Sequence, residues 1–170
     1  QTMTLTGPTF YSTTYAFVRS DDKSFDGDLN KANNKNVKVA SIEGDITQSL
    51  AQEKLPNATI VALPQPASGS ELLLQLKTKK TDIVLVDQGS INDFQKNNPN
   101  TLRRVGGIPA VRVFGEHLAV KRGEYHLRDM LDIAISQLIN DGVIESFTKK
   151  YNTEYKAESL APMRTYTPLK

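Results

Sequence analysis

The 170-residue chain has no cysteine. That excludes a disulfide framework, a thiolate metal site and a cysteine nucleophile, and it leaves a cytosolic and an extracytoplasmic home equally open. Two histidines, His117 and His126, are too few for a histidine-rich metal cluster. No apolar run is long enough to span a bilayer, so membrane insertion is not expected. The opening "QTMTLTGPTF" carries no secretory-leader pattern and reads as the middle of a domain. Charge of one sign is scarce too: 21 Lys and Arg stand against 19 Asp and Glu, a net charge of +2. That supplies no field to steer nucleic acid or a membrane surface. The pairs Arg103–Arg104, Lys79–Lys80 and Lys149–Lys150 are scattered and read as solvated surface.

What is present is an ordinary globular composition, long enough for one domain or two small lobes with a real core. "TTYAFVRS" (Thr13–Ser20) alternates and is rich in β-formers, which predicts a strand. A polar stretch with Gly27 follows, room for one short helix. "VKVAS" (Val37–Ser41) predicts a second strand. "DITQSLAQEKLP" predicts a helix with Ile46, Leu50 and Ala51 on its apolar face, stopped by Pro56. "TIVAL" (Thr59–Leu63) reads as a short buried strand. "PASGSELLLQLKTKK" reads as a helix capped by Ser68 or Ser70, with Leu72 to Leu76 as its apolar face. "DIVLVD" (Asp82–Asp87) is the most apolar strand, as a central parallel one would be. "SINDFQKNN" predicts a helix ending near Asn98, before Pro99.

Extended segments follow around "GGIP". "EYHLRDMLDIAISQLINDG" then predicts a long amphipathic helix, with Leu127, Met130, Leu131, Ile135, Leu138 and Ile139 in one stripe and Gly142 at its end. "VIESFTKKY" predicts a shorter helix carrying Ile144, Phe147 and Tyr151. "KAESLAPMRTYTPLK" reads as a polar tail.

Strands alternating with helices between Val37 and Asn98 argue for parallel βαβ units. Ligands bind outside the C-terminal ends of such strands. The turn Gly44–Thr47 lies at one such end and Asp87 at another, so the two are candidates for one crevice. The first helical turn after "VKVASIEG" would attract an anion, yet an acid, Asp45, stands there.

This succession of motifs resembles the extracytoplasmic solute-binding proteins of family 3, which serve polar amino acid ABC importers. "TGPTFY" resembles the family's aromatic–Ser–x–Pro–Tyr segment and "YAFVRSDD" its hinge strand. "VKVASIEGDITQSLAQEKLP" resembles the strand–turn–helix "V-G-V-x-x-G-T-T-x". "ELLLQLKTKKTDIVLVDQG" resembles "a-L-x-x-G-R-x-D-A-x-x-x-D". "FGEHLAVKRGEYHLRDMLDIAISQLINDGVIESFTKKY" resembles the return strand, the "D-G" helix and the closing "K-K-Y/W" helix. The resemblance runs from about Leu5 to Tyr155.

It implies an α/β, periplasmic-binding-protein-like type II fold. One complete parallel-sheet lobe would span 14–113. Hinge strands and the C-terminal helices of the other lobe would span 1–13 and 116–158, with a tail over 159–170. The family's first lobe is not represented, so a separate first lobe or a homodimer is expected to cover the Leu131–Leu138 stripe.

The implied function is a binding component of an ABC importer. It would hold a small polar ligand such as an amino acid between two lobes, outside the cytoplasm and beside a permease, with no cofactor and no chemistry. An enzyme of the dehydratase type and a sensor or interaction domain are the alternatives. No Ser–His–Asp set or catalytic acid pair stands out.

In the family the acid matching Asp87 accepts the ligand's ammonium; a helix-capping role is the other reading, and both can coexist. Thr or Ser normally follows the glycine and holds the ligand's carboxylate. Here Asp45 and Ile46 stand there, followed by Thr47. Asp45 as a helix cap would leave that carboxylate site degraded. As a ligand contact it would imply a cation or a derivative without a free carboxylate. Thr47 and the nearby backbone could still make polar contacts. Tyr11 would line the cleft or merely pack. Arg112 and Glu116 flank the second crossover, and His117 reads as a packed or surface residue.

Overall fold

The computed structural model describes residues 2–165. The chain divides into two compact units: Thr14–Arg112 forms one, and the residues up to Thr13 together with those from Val113 form the other.

The first unit is a sheet with helices on both faces. Strand β1 (Met3–Arg19) enters it at Thr14, and β2 (Lys38–Ile42), β3 (Thr59–Leu63), β4 (Ile83–Asp87) and β5 (Leu102–Arg104) complete it in the order β3, β2, β4, β1, β5. β2 runs parallel to both β3 and β4, while β1 runs antiparallel to β4 and β5. Helices α1 (Ile46–Lys54), α2 (Gly69–Lys77) and α3 (Gln88–Asn97) connect or follow the parallel strands.

The pleat sorts the strand residues into two apolar layers. Ala16, Val18, Val39, Ile83 and Leu85 pack with Leu50, Ala51 and Leu55 of the α1 segment. Phe17, Ala40, Val84 and Val86 pack with Leu72, Leu73 and Leu76 of α2 and with Ile91 and Phe94 of α3. Each large side chain so buried contributes about 1.5–3 kcal/mol. This explains why "IVLV" is apolar without alternation: both faces of β4 are covered.

Two expectations change here. Thr59–Leu63 is half-buried, because β3 is the edge of the sheet. Ile46 is 54% exposed and does not join the apolar face of α1. As the first helical residue it stands at the end of the sheet, where the layer of Leu50, Ala51 and Leu55 has stopped.

In the second unit the first half of β1 pairs with β6 (Arg112–Lys121). β1 therefore begins at Met3, ten residues before the predicted Thr13, because β6 gives that segment a partner. Helices α4 (Tyr125–Asn140) and α5 (Val143–Tyr155) follow. Between them Gly142 has φ +76°, a conformation that L side chains rarely adopt, and a Cβ there would meet the Arg164 guanidinium.

The segment after α5 is more ordered than a polar tail. Asn152 both donates to Ser159 O (2.7 Å) and accepts from Ser159 N (2.9 Å). Tyr11 and Leu160 exchange two backbone bonds of 2.8 Å. Arg164 pairs with Glu145 at 2.7 Å, and the Thr165 hydroxyl donates to Asn140. The rest of the expected tail, 166–170, lies outside the described residues. No helix among the described residues is long and apolar enough to cross a membrane.

Candidate functional site

β2 and β4 are parallel neighbours, so their C-terminal ends share one edge of the first unit. After β2 the chain turns at Gly44, whose φ of +69° suits glycine. Its N–H donates to Gln48 Oε1 (2.9 Å), and Gln65 Nε2 donates to Glu43 O (2.8 Å). Asp45 is the N-cap of α1: its Oδ1 accepts from Thr47 N (2.9 Å) and from Thr47 Oγ1 (2.8 Å). The Thr47 hydroxyl in turn accepts from Ile42 N (3.1 Å). The carboxylate thus meets the positive end of the helix and uses donors that an incoming anion would need.

The next helix heads repeat the pattern. Asp87 is the N-cap of α3 and accepts from Ser90 N (2.9 Å) and Ser90 Oγ (2.6 Å). A Cβ at Gly89 would lie 2.9 Å from Asp87 Oδ1. Ser68 and Glu71 close a capping box on α2: the Ser68 hydroxyl accepts from Glu71 N (3.2 Å), and Ser68 N donates to Glu71 Oε2 (2.7 Å). The Ser68 N–H, and then the Ser68 hydroxyl, hold the Glu71 carboxyl below its ordinary value. α1 and α3 begin at an aspartate of the chain itself, and α2 begins at Ser68 with the Glu71 carboxylate closing its capping box. What this edge offers outward is mainly acceptor capacity, with exposed Asp87 foremost.

Of the residues singled out in the sequence, Asp45, Ile46, Thr47 and Asp87 stand together at this edge. Tyr11 is half-buried in the other unit, where its backbone pairs with Leu160. Arg112 is paired with Glu53. Glu116 accepts from Ser12 Oγ (2.6 Å), and His117 Nδ1 lies 2.7 Å from Thr6 O, which makes that nitrogen the donor. Among the described residues no group of three His, Asp or Glu is placed to hold a metal ion. Sequence reasoning missed Gln48 and Ser90. Their spacing was the available signal: Gln48 is four residues after Gly44, and Ser90 three after Asp87.

No protein-family model matches the chain, and no curated protein does. Solved structures do. The chain superposes on the amino acid ABC transporter substrate-binding protein AbpA of Streptococcus pneumoniae, bound to L-arginine, with a TM-score of 0.69 at 21% identity, over 92% of this chain and 63% of that one. The chain has a periplasmic-binding-protein-like type II fold. The same type II fold is met in the GluR0 ligand-binding core in complex with L-glutamate (TM-score 0.71, 17% identity, 89% of this chain and 64% of that one). It is met again in AncCDT-1, an ancestral amino acid-binding protein described as a precursor of cyclohexadienyl dehydratase (TM-score 0.70, 18% identity, 88% and 61%). The chain therefore spans less than two thirds of the length of these type II relatives in fold.

Proposed function

We propose that Thr14–Arg112 is the ligand-binding half of a solute-binding protein that holds a small polar solute, such as an amino acid, without chemistry. It would serve an ABC importer outside the cytoplasmic membrane, beside a permease. The observation that carries this reading is the juxtaposition of the Asp45–Thr47 turn and Asp87 at the ends of adjacent parallel strands. Asp87 accepts the solute's ammonium, since charge-assisted bonds are the strong ones. Thr47 and the backbone beside it add one or two polar contacts, and exposed Ile46 an apolar one. A first lobe supplies the remaining enclosure by closing over the site.

The capping geometry of Asp45 favours a degraded carboxylate site over an intact one. A dehydratase-type enzyme is the second reading, favoured by the description of AncCDT-1 as a dehydratase precursor; turnover of a prephenate-like acid by the chain would select it.

A titration followed by backbone NMR tests the binding reading. With one lobe engaged, free amino acids bind weakly, with dissociation constants above about 1 mM, and shift the amides of Thr47 and Ser90. Absence of any shift there with all standard amino acids overturns the assignment of the site. Micromolar affinity by calorimetry overturns the need for a closing lobe.

A further inference from the structure

The three turns at the C-terminal ends of β2, β3 and β4, residues 42–48, 63–71 and 86–92, carry Glu43, Asp45, Glu71 and Asp87 and no Lys, Arg or His. The chain as a whole has a net charge of +2, so this edge differs in sign from the rest. Cations of the adjoining strands are engaged elsewhere: Arg104 lies over the Tyr15 ring at 3.2 Å, and Arg112 pairs with Glu53.

The hydrogen bonds at the edge run in the same direction. Thr47 Oγ1 donates to Asp45 (2.8 Å), Ser68 Oγ to Glu71 (2.9 Å) and Ser90 Oγ to Asp87 (2.6 Å). A hydroxyl has one hydrogen to give, so all three face a ligand as acceptors. The N–H groups of Gly44, Asp45 and Thr47 are engaged by Gln48 Oε1, Ile42 O and Asp45 Oδ1. The Ile46 N–H stands outside these bonds but adjoins the Asp45 carboxylate. Neutral amides, such as those of Gln48 and Gln65, are the other donors, and no cation accompanies them.

Resting on the ligand-binding reading of this edge, we infer that its solute is a small primary amine without a carboxylate, such as a diamine or an amino-acid amide. The ammonium sits against Asp87, whose oxygens each accept one bond from Ser90 and keep further lone pairs. The Asp45 charge repels a carboxylate from the first turn of α1, where the donors it would need already serve the chain. A like charge in that position discriminates by repulsion while Asp87 supplies the attraction.

Titration of the chain with cadaverine, L-lysinamide, L-lysine and glutarate, followed by amide NMR, is the test. Cadaverine is lysine without its carboxylate, and lysinamide is lysine with that charge masked. Both should shift the Thr47 and Ser90 amides with dissociation constants at least about tenfold below that of lysine. Glutarate should leave those amides unmoved. Asp87→Asn should weaken both amines at least about tenfold; asparagine caps a helix about as well as aspartate, so the fold is kept. Lysine binding as tightly as the two amines, or glutarate binding at these amides, overturns the inference and leaves the site standing. Amine shifts indifferent to Asp87→Asn reflect diffuse attraction to surface acids and overturn it too. Failure of all four compounds to move these amides overturns the reading of the site itself, and the inference with it.

Discussion

At the scale of single residues, Asp45 does two things with one carboxylate. It closes the donors of Thr47 and places negative charge where a helix head would otherwise welcome an anion. Asp45→Ala should lower stability by about 0.5–2 kcal/mol, the usual worth of such a cap, read from urea denaturation. Asp45→Thr should retain part of that and remove the charge, so an anionic solute gains affinity. A variant that keeps its full melting temperature yet abolishes binding of a cationic solute would instead make Asp45 a ligand contact.

Ser41 is the opposite case. It is fully buried at the end of β2, and its hydroxyl has no hydrogen-bond partner among the described residues. Burying a hydroxyl without a partner costs about 1–3 kcal/mol. Ser41→Ala should therefore raise stability by about 1 kcal/mol, and a clear loss on denaturation would show that the hydroxyl is satisfied.

At the scale of elements, loop contacts hold the sheet's margin. Asp26 accepts from Gly106 N (2.8 Å) and pairs with Arg103 (2.9 Å). The Gly106 N–H, and then the Arg103 guanidinium, hold its carboxyl below the ordinary value against the opposing effect of burial. The folded-state value is depressed, so the contribution is full above the unfolded value of about 3.9 and is lost as pH falls through the folded one. Asp26→Asn should reduce the loss of stability on acidification below about pH 4 and leave its slope near neutrality unchanged. A steeper acid loss in the variant would contradict this.

The same scale shows what could be read in advance. α1, α2 and α3 were legible because caps and breakers mark them: Asp45, Ser68 with Glu71, Asp87, and Pro99 beyond Asn98. The short β4 was legible because both its faces are covered. The early half of β1 was not, since "TLTGPT" carries a glycine and a proline and becomes a strand only through β6, more than a hundred residues away. The edge position of β3 depends on strand order, which no local pattern states. At the site, the acids and Thr47 were visible, whereas the roles of Gln48 and Gln65 depend on turn geometry.

At the scale of the whole molecule, the two units are held with unequal strength. Thr14–Arg112 has two apolar layers with Phe17, Leu55, Leu72, Leu76, Ile83 and Leu85 almost wholly buried. Among the described residues of the other unit the buried apolar side chains are Val120 and Ile135, and the ties there include polar ones such as Gly7 N to Asp132 (2.7 Å) and Thr13 Oγ1 to Glu158 O (2.6 Å). A polar bond at the surface contributes about 0.5–1.5 kcal/mol net, less than a buried leucine. Local opening follows such differences in buried apolar contact.

Hydrogen exchange on the dilute chain should therefore show two classes. Amides of β2 and β4 should exchange only by global opening. Those of α4 and α5 should exchange at least about a hundredfold faster, a gap of roughly 2.7 kcal/mol or more. Equal protection across both units in the dilute chain would mean that α4 and α5 are already held as firmly as the sheet, and this account of unequal cores would have to be abandoned.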